Sequence, residues 1–321
     1  MTPPLTLADV QAAAARIDGR VHRTPIFTSR TLDARAGRRL FFKAENLQRC
    51  GAFKARGALN AVSLLGPEEA ARGVLTDSSG NHGQALAWAA AERGVAATVV
   101  MPSDAPQVKQ AAVRDYGARV VLCPPTLAGR AETVRRLRAE TGATYVPPFN
   151  HRHVQAGQGT VALELLEQVP DLDALVIPVG GGGLLTGCAT AARALRPDIR
   201  IFAAEPRGAN DAARSKAAGE HLPPVDHRTM AGGLLVGLGP LCWPTLRDEV
   251  EAVIEIEEPA IADATRLVME RMKLVIEPSS GVPVAAALHP DFCALQGIDR
   301  VGVILCGGNI DLDALPWQDP A

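Results

Sequence analysis

The stretch QALAWAAAERGVAATVVMPSDAPQVKQAAVRDYGARVVLC, residues 84–123, decides the fold. Its opening, Gln84–Arg93, is rich in good helix formers and stops at Gly94, where a left-handed cap is expected. A β-rich run, Val95–Met101, follows. Gln107–Tyr116 reads as a second helix closed by Gly117, and Arg119–Cys123 as a second strand. The alternation continues outward. Helices are expected at Arg130–Glu140 (before Gly142), Val154–Gln168, Leu185–Leu195 and Pro259–Met272. Strands are expected at Ala174–Val179, Ile199–Ala204, Val253–Ile256 and Val301–Cys306. These strands are almost uninterruptedly apolar, which suits parallel sheets buried on both faces. The chain is therefore expected to be α/β. Pro147-Pro148-Phe149-Asn150 marks the expected break between a small domain, 68–150, and a large discontinuous one, 1–67 with 151–321.

Length and composition agree with two such units. At roughly 150 residues per domain, 321 residues suggest about two. Hydrophobic residues are 47% and charged ones 21%, too apolar for disorder. With Lys+Arg 33 against Asp+Glu 35, no basic excess exists to drive binding to nucleic acid or an anionic membrane. The six cysteines form no C-x-x-C pair, so neither a disulfide framework nor a zinc ribbon is expected. The uncharged runs Ala174–Ala192 and Thr229–Leu246 are broken by glycine and proline, unlike membrane spans. The N-terminus lacks a targeting pattern, and a cytoplasmic location is expected.

No G-x-G-x-x-G, Walker A or G-x-S-x-G motif occurs, which weighs against nicotinamide enzymes, P-loop ATPases and serine hydrolases. Four polar or glycine-rich turns at strand–helix junctions remain. Only five lysines exist (43, 54, 109, 216 and 273), so a reaction needing an amine has few candidates. Lys54, in Gly51-Ala52-Phe53-Lys54-Ala55-Arg56-Gly57, sits among small apolar residues that would desolvate it and free its amine as a nucleophile; the plainer reading is a solvated helix-start lysine. Thr76-Asp77-Ser78-Ser79-Gly80-Asn81-His82-Gly83 precedes a helix and gathers hydroxyls, an amide and main-chain N–H groups into a carboxylate clamp. A simple N-cap would need one such residue. Gly180 to Gly183 can wrap main-chain donors around a phosphate, whereas a tight turn needs fewer glycines. Cys306-Gly307-Gly308-Asn309 ends the last strand, where ligand crevices of open sheets lie.

In this order the motifs resemble the fold-type II pyridoxal-phosphate enzymes, and within them the serine/threonine dehydratase and serine racemase family. HVQAGQGTVALELLEQ (153–168), AAEP (203–206), ERMKLVIEPSSG (270–281) and CGGNIDL (306–312) extend the likeness over nearly the whole chain. The resemblance implies two open, twisted, mostly parallel sheets flanked by helices, with the site between a large and a small domain. It implies that Lys54 holds pyridoxal 5'-phosphate as a Schiff base, with Phe53 beside the ring and Asn81 on its 3-hydroxyl. Gly180, Gly181, Gly182, Gly183 and Leu184 would bind the phosphate, Cys306 would face the ring nitrogen, and Glu277 would lie near the ring. Ser78, Ser79, Asn81 and His82, with Arg130, would hold the substrate carboxylate.

The S-S-G-N-H pattern at Ser78 is like that of serine racemases and hydroxyaspartate dehydratases, where the residue at Ser79 serves the ring face opposite the lysine. The same subgroup implies Mg²⁺ or Ca²⁺ at Glu205, the Ala209 carbonyl and Asp211, oxygen ligands that suit a hard cation; a solvated acidic loop is the plainer reading. Departures from the pattern are Cys50, Gly232, and Val236-Gly237, where the racemases carry two serines; fewer hydroxyls there suit a less polar β-substituent. No C-terminal regulatory domain is expected after Leu312. The implied reaction is β-elimination of L-threonine or L-serine to a 2-oxo acid and ammonia, by an enzyme that takes a small amino-acid substrate and acts as a homodimer. Serine racemase or threo-3-hydroxyaspartate dehydratase activity is the alternative, β-replacement another, and non-catalytic cofactor binding a remoter one. His151 and His153 read as structural rather than as metal ligands.

Overall fold

The computed structural model describes residues 4–225 and 228–317. Among the described residues there are ten strands: β1 (Ile26–Phe27), β2 (Arg39–Ala44), β3 (Val74–Asp77), β4 (Ala97–Pro102), β5 (Arg119–Cys123), β6 (Thr144–Tyr145), β7 (Ala174–Pro178), β8 (Arg200–Pro206), β9 (Ala252–Ile256) and β10 (Arg300–Leu305). They form a six-stranded sheet, β1-β2-β10-β7-β8-β9, and a four-stranded sheet, β5-β4-β3-β6. Every pairing is parallel except β1 with β2. The α/β fold expected from the alternation, and the two mostly parallel sheets that the resemblance implies, are therefore present. Among the described residues no helix is long and apolar enough to cross a membrane.

The strand ends matter most. β10 lies between β2 and β7, with Leu305 beside Ala44 and Val303 beside Val176. All three run the same way, so the chain leaves them at one edge. There it enters the Lys54 segment, the glycine turn and Cys306 respectively. Each of β7, β8 and β10 is almost wholly buried, as central parallel strands must be when helices cover both faces.

The helix Arg152–Gln168 spaces the lysine segment from the glycine turn. On one side it packs on the helix Lys54–Ser63, on the other on Gly183–Leu195. A Cβ on Gly157 would lie 2.6 Å from the Arg56 carbonyl oxygen, and one on Gly159 2.7 Å from that of Gly187. The glycines of the AGQG run thus allow backbones to approach where any side chain would wedge them apart. The lysine helix also contributes Ala55, Ala58, Leu59 and Val62 to the apolar core beneath the four-stranded sheet.

A buried charge quartet braces the same region. Arg56 is wholly buried and donates to both oxygens of Glu45 at 2.7 Å, to both of Glu164 at 2.6 and 2.9 Å, and to Thr160. Lys43, also wholly buried, gives its three protons to Glu164, Gln168 and the Thr24 carbonyl. Two cations meet two carboxylates with their hydrogen bonds made, so the group is tolerable in the interior only while complete.

Removing one charge should expose that cost. Glu45→Gln is expected to lower the unfolding free energy by about 3 kcal/mol. Glu167→Gln, at an exposed pair with Arg23, should cost less than about 1 kcal/mol. Denaturant melts check this; equal losses would show that the quartet is no brace.

Candidate active site

Lys54 opens its helix beside the end of β10. Ala52 bridges to Gly307, and the Phe53 N–H donates to the Cys306 carbonyl at 3.1 Å. The Lys54 amine donates to the Pro148 carbonyl at 2.7 Å and stands 5.1 Å from the centre of the Phe53 ring. Burial lowers its pKa to about 8, only partly opposed by Cys306, Cys242 and Glu277. Lys43, the other buried lysine, is held differently. Lys43 is held by a carboxylate and two further acceptors, whereas Lys54 has a neutral carbonyl. An amine without an ion-pair partner can be deprotonated near neutral pH and act as nucleophile or base.

The glycine turn follows β7. Gly182 has φ of +83°, and its Cβ would fall 2.6 Å from that of Cys242; a Cβ on Gly181 would strike the Phe149 ring at 2.3 Å. The turn is clasped by Phe149, Leu234, Leu238 and Cys242, and the Gly239 N–H donates to the Gly181 carbonyl. Gly183 and Leu184 begin the helix Gly183–Leu195, whose first N–H groups point out of its N-terminus. This is an anion cradle built from main chain.

The second anion turn follows β3. The Ser78 N–H donates to the Val100 carbonyl, its hydroxyl accepts from the Gly80 N–H at 3.3 Å, and the helix Asn81–Arg93 begins at once. Ser78 and Ser79 are half-buried there. His82 is buried, with Nε2 3.0 Å from the Val146 carbonyl. Burial pushes its pKa down to about 3, so the ring is neutral. With the ring donor spent on Val146, the main-chain N–H of His82 is the group left to face an anion.

Asn81 is fixed at both ends. Its Nδ2 donates to Glu277 at 2.9 and 3.1 Å, and its Oδ1 accepts from Asn309 at 2.9 Å. Asn309 also donates to the Cys50 carbonyl, holding Cys50 at φ of +57°. Burial raises Glu277 to about 7, against the pull of Asn81, Lys109 and Lys54. Cys306 is buried and its thiol is pushed up to about 12, so it stays neutral. Ser280 Oγ lies 3.5 Å from the Cys306 sulfur and 2.7 Å from the Gly307 carbonyl. Asn309, Ser280 and Pro148 had no role assigned from sequence. Asn309 and Ser280 lie inside motifs that signalled the family, but only contacts across the fold reveal what they hold.

Arg130 stands apart from the lysine. It lies on the helix Leu127–Thr141 with its Nε 3.9 Å from Asp77 Oδ2, at the end of β3. Glu205, Ala209 and Asp211 form a separate group at the end of β8. Glu205 accepts from the N–H groups of Ala212 and Ala213, and Asp211 from that of Leu238, whose side chain packs on Gly182. Burial, with Asp211 and Glu255 nearby, raises Glu205 to about 8. Among the described residues no group of three or more His, Cys, Asp or Glu converges as a metal site. A cation here would therefore rely on the two carboxylates, the Ala209 carbonyl and water. The His151 and His153 rings meet edge-on at 5.4 Å.

Residues 17–307 match the family model described as pyridoxal-phosphate dependent enzyme. Serine racemase of Oryza sativa subsp. japonica is 45% identical, over 96% of this chain and 92% of its own. The beta-hydroxyaspartate dehydratase of Paracoccus denitrificans is 47% identical, over 98% and 99%. The structure of maize serine racemase superposes with a TM-score of 0.95 at 43% identity, covering 97% of this chain and 95% of that one. With a buried Lys54 amine that pairs with no carboxylate and matches of this extent, the chain belongs to the fold-type II pyridoxal-phosphate enzymes, a family of lyases and racemases.

Proposed function

We propose that this enzyme eliminates water from a β-hydroxy amino acid, converting L-threonine or L-serine to a 2-oxo acid and ammonia. The observation that carries the reading is the Lys54 amine, enclosed, unpaired with any carboxylate and lowered to about 8, between two anion-binding turns. The residues fit pyridoxal phosphate: an amine for its aldehyde, a glycine turn that admits no Cβ for its phosphate, and a neutral thiol for its ring nitrogen. When bound, the cofactor supplies an electron sink for the charge left on Cα.

The chain's own residues do the rest. Lys54 would hold the cofactor, and its free Nζ would accept the Cα proton. Gly180 to Gly183 and Leu184 take the phosphate on main-chain donors. Phe53 would pack beside the ring, and Asn81, locked by Glu277 and Asn309, would serve the 3-hydroxyl. Ser78, Ser79, Asn81 and the His82 N–H grip the carboxylate, and Arg130 closes over it. The Cys306 thiol cannot hold the ring nitrogen protonated as a carboxylate would. That weakens the sink and favours prompt loss of the β-hydroxyl.

Racemisation is the second reading, supported by Ser79 in the carboxylate turn and by relatives named as serine racemases. A Ser79 hydroxyl on the face opposite Lys54 would return the proton there. Dehydration of 3-hydroxyaspartate stands beside it. Mg²⁺ or Ca²⁺ at Glu205, Ala209 and Asp211 would neutralise two buried acids and steady Leu238 against the glycine turn. We also take the working form to be a homodimer, in keeping with the exposed Leu47 and Val275 side chains, whose segments are joined by the Asn46 amide donating to the Val275 carbonyl.

L-Threonine and L-serine are expected to release 2-oxobutyrate and pyruvate, and Lys54→Ala to lose turnover by more than about 10⁴-fold together with the visible band of lysine-bound cofactor. Retained activity would refute the lysine assignment. Lys54 is protonated below its pKa and free above it. Cofactor capture by the apoenzyme should therefore rise with pH and level off beyond about 8; a midpoint near 10 would mean that the amine is not desolvated. Ser79→Ala should abolish racemisation, read by chiral chromatography, and spare L-elimination; parallel loss of both contradicts the two-face picture. A chelator should lower the melting temperature through Glu205 and Asp211, and an unchanged melt argues against the cation.

A further inference from the structure

Asp77 is the last residue of β3 and directly precedes Ser78 of the carboxylate turn. Both of its oxygens are engaged. Oδ1 accepts a hydrogen bond from the Tyr145 hydroxyl, and Oδ2 faces the Arg130 guanidinium, with Nε 3.9 Å away. That separation is an ion pair but too long for a hydrogen bond. Arg130 is held by charge alone, and its side chain is only 27% exposed.

Arg130 also has room to move. It lines a cavity of about 690 Å³ together with Asp77, Val134, Arg135, Arg138 and Tyr145. Arg138 lies over the Tyr145 ring at 5.9 Å, and Arg135 pairs with Glu132. Each of those arginines thus has its own neighbour, and Asp77 is the carboxylate facing Arg130.

We propose that Asp77 is a positioning residue that parks Arg130 and thereby sets the enzyme's affinity for carboxylate substrates. This rests on the reading of Arg130 as a substrate ligand given above. A substrate carboxylate entering the Ser78 turn competes with Asp77 for the same guanidinium. Tyr145 keeps Asp77 aimed at the resting position, and the loose 3.9 Å contact lets Arg130 leave. Part of the binding free energy of substrate is then spent on breaking the Asp77 pair. At 3.9 Å and without a hydrogen bond the pair is weak, so the effect is modest and appears in binding rather than in chemistry.

The test uses the holoenzyme and L-threonine. KM and kcat come from 2-oxobutyrate release, and Kd from the change that L-threonine makes in the cofactor's visible spectrum, which needs no turnover. Asp77→Asn should tighten KM and Kd about two- to five-fold with kcat unchanged. Arg130→Ala should weaken both, and Asp77→Asn added to Arg130→Ala should then do nothing. Tighter binding that persists without Arg130, or Asp77→Asn that leaves Kd unchanged or weaker, overturns the parking role. If Arg130→Ala alone leaves Kd untouched, the assignment of Arg130 falls and the parking role with it. The elimination reading is judged separately by product release.

Discussion

The main-chain hydrogen bond from Phe53 to the Cys306 carbonyl, 3.1 Å long, ties the lysine segment to the end of the central strand β10. The chemistry of the site depends on that tie. β10 lies between β2 and β7, so one strand end anchors the amine, faces the glycine turn and carries a thiol. Parallel pairing is what makes this possible, because it brings the exits of neighbouring strands to the same edge. The helix Arg152–Gln168 then fixes the distance from amine to glycine turn through contacts that only glycine permits.

Electrostatics separates structural charge from reactive charge within a few residues. Arg56, two positions after Lys54, is saturated by Glu45 and Glu164, and Lys43 is saturated beside it. Lys54 is given burial without a counter-ion. The same desolvation holds the Cys306 thiol neutral and raises Glu277 towards neutrality. A site of neutral groups around one depressed amine does not pre-empt the charge that a phosphorylated aldehyde and an amino acid bring. Two further acids, Glu205 and Asp211, lie outside this pocket at the end of β8.

Much of the architecture was legible in residues 84–306. Arg119–Cys123 was located to the residue, and other elements within a few positions, because long periodic runs closed by Gly94 and Gly142 carry their own start and stop signals. Four strands carry no such signal, and two of them, Ile26–Phe27 and Thr144–Tyr145, are only two residues long. Arg39–Ala44 contains a lysine that is acceptable in a buried strand only because Glu164, far along the chain, neutralises it. Val74–Asp77 is too short to show a period. The helix Pro278–Ala287 has Gly281 and Pro283 within it and is secured by close packing on Glu258–Met272, where a Cβ on Gly281 would strike Thr265.

The sequence alone determined the site's ingredients: a scarce lysine among small residues, two turns able to hold anions, and an ordered set of motifs that marks the family. Those are local properties, since a turn's donors and a residue's bulk travel with the chain. Tertiary structure decided which lysine is free, which face of His82 remains, how Asn81 is locked and where Arg130 rests. Each of these is settled by a partner dozens to hundreds of residues away, and burial and charge pairing are properties of the folded neighbourhood rather than of the segment.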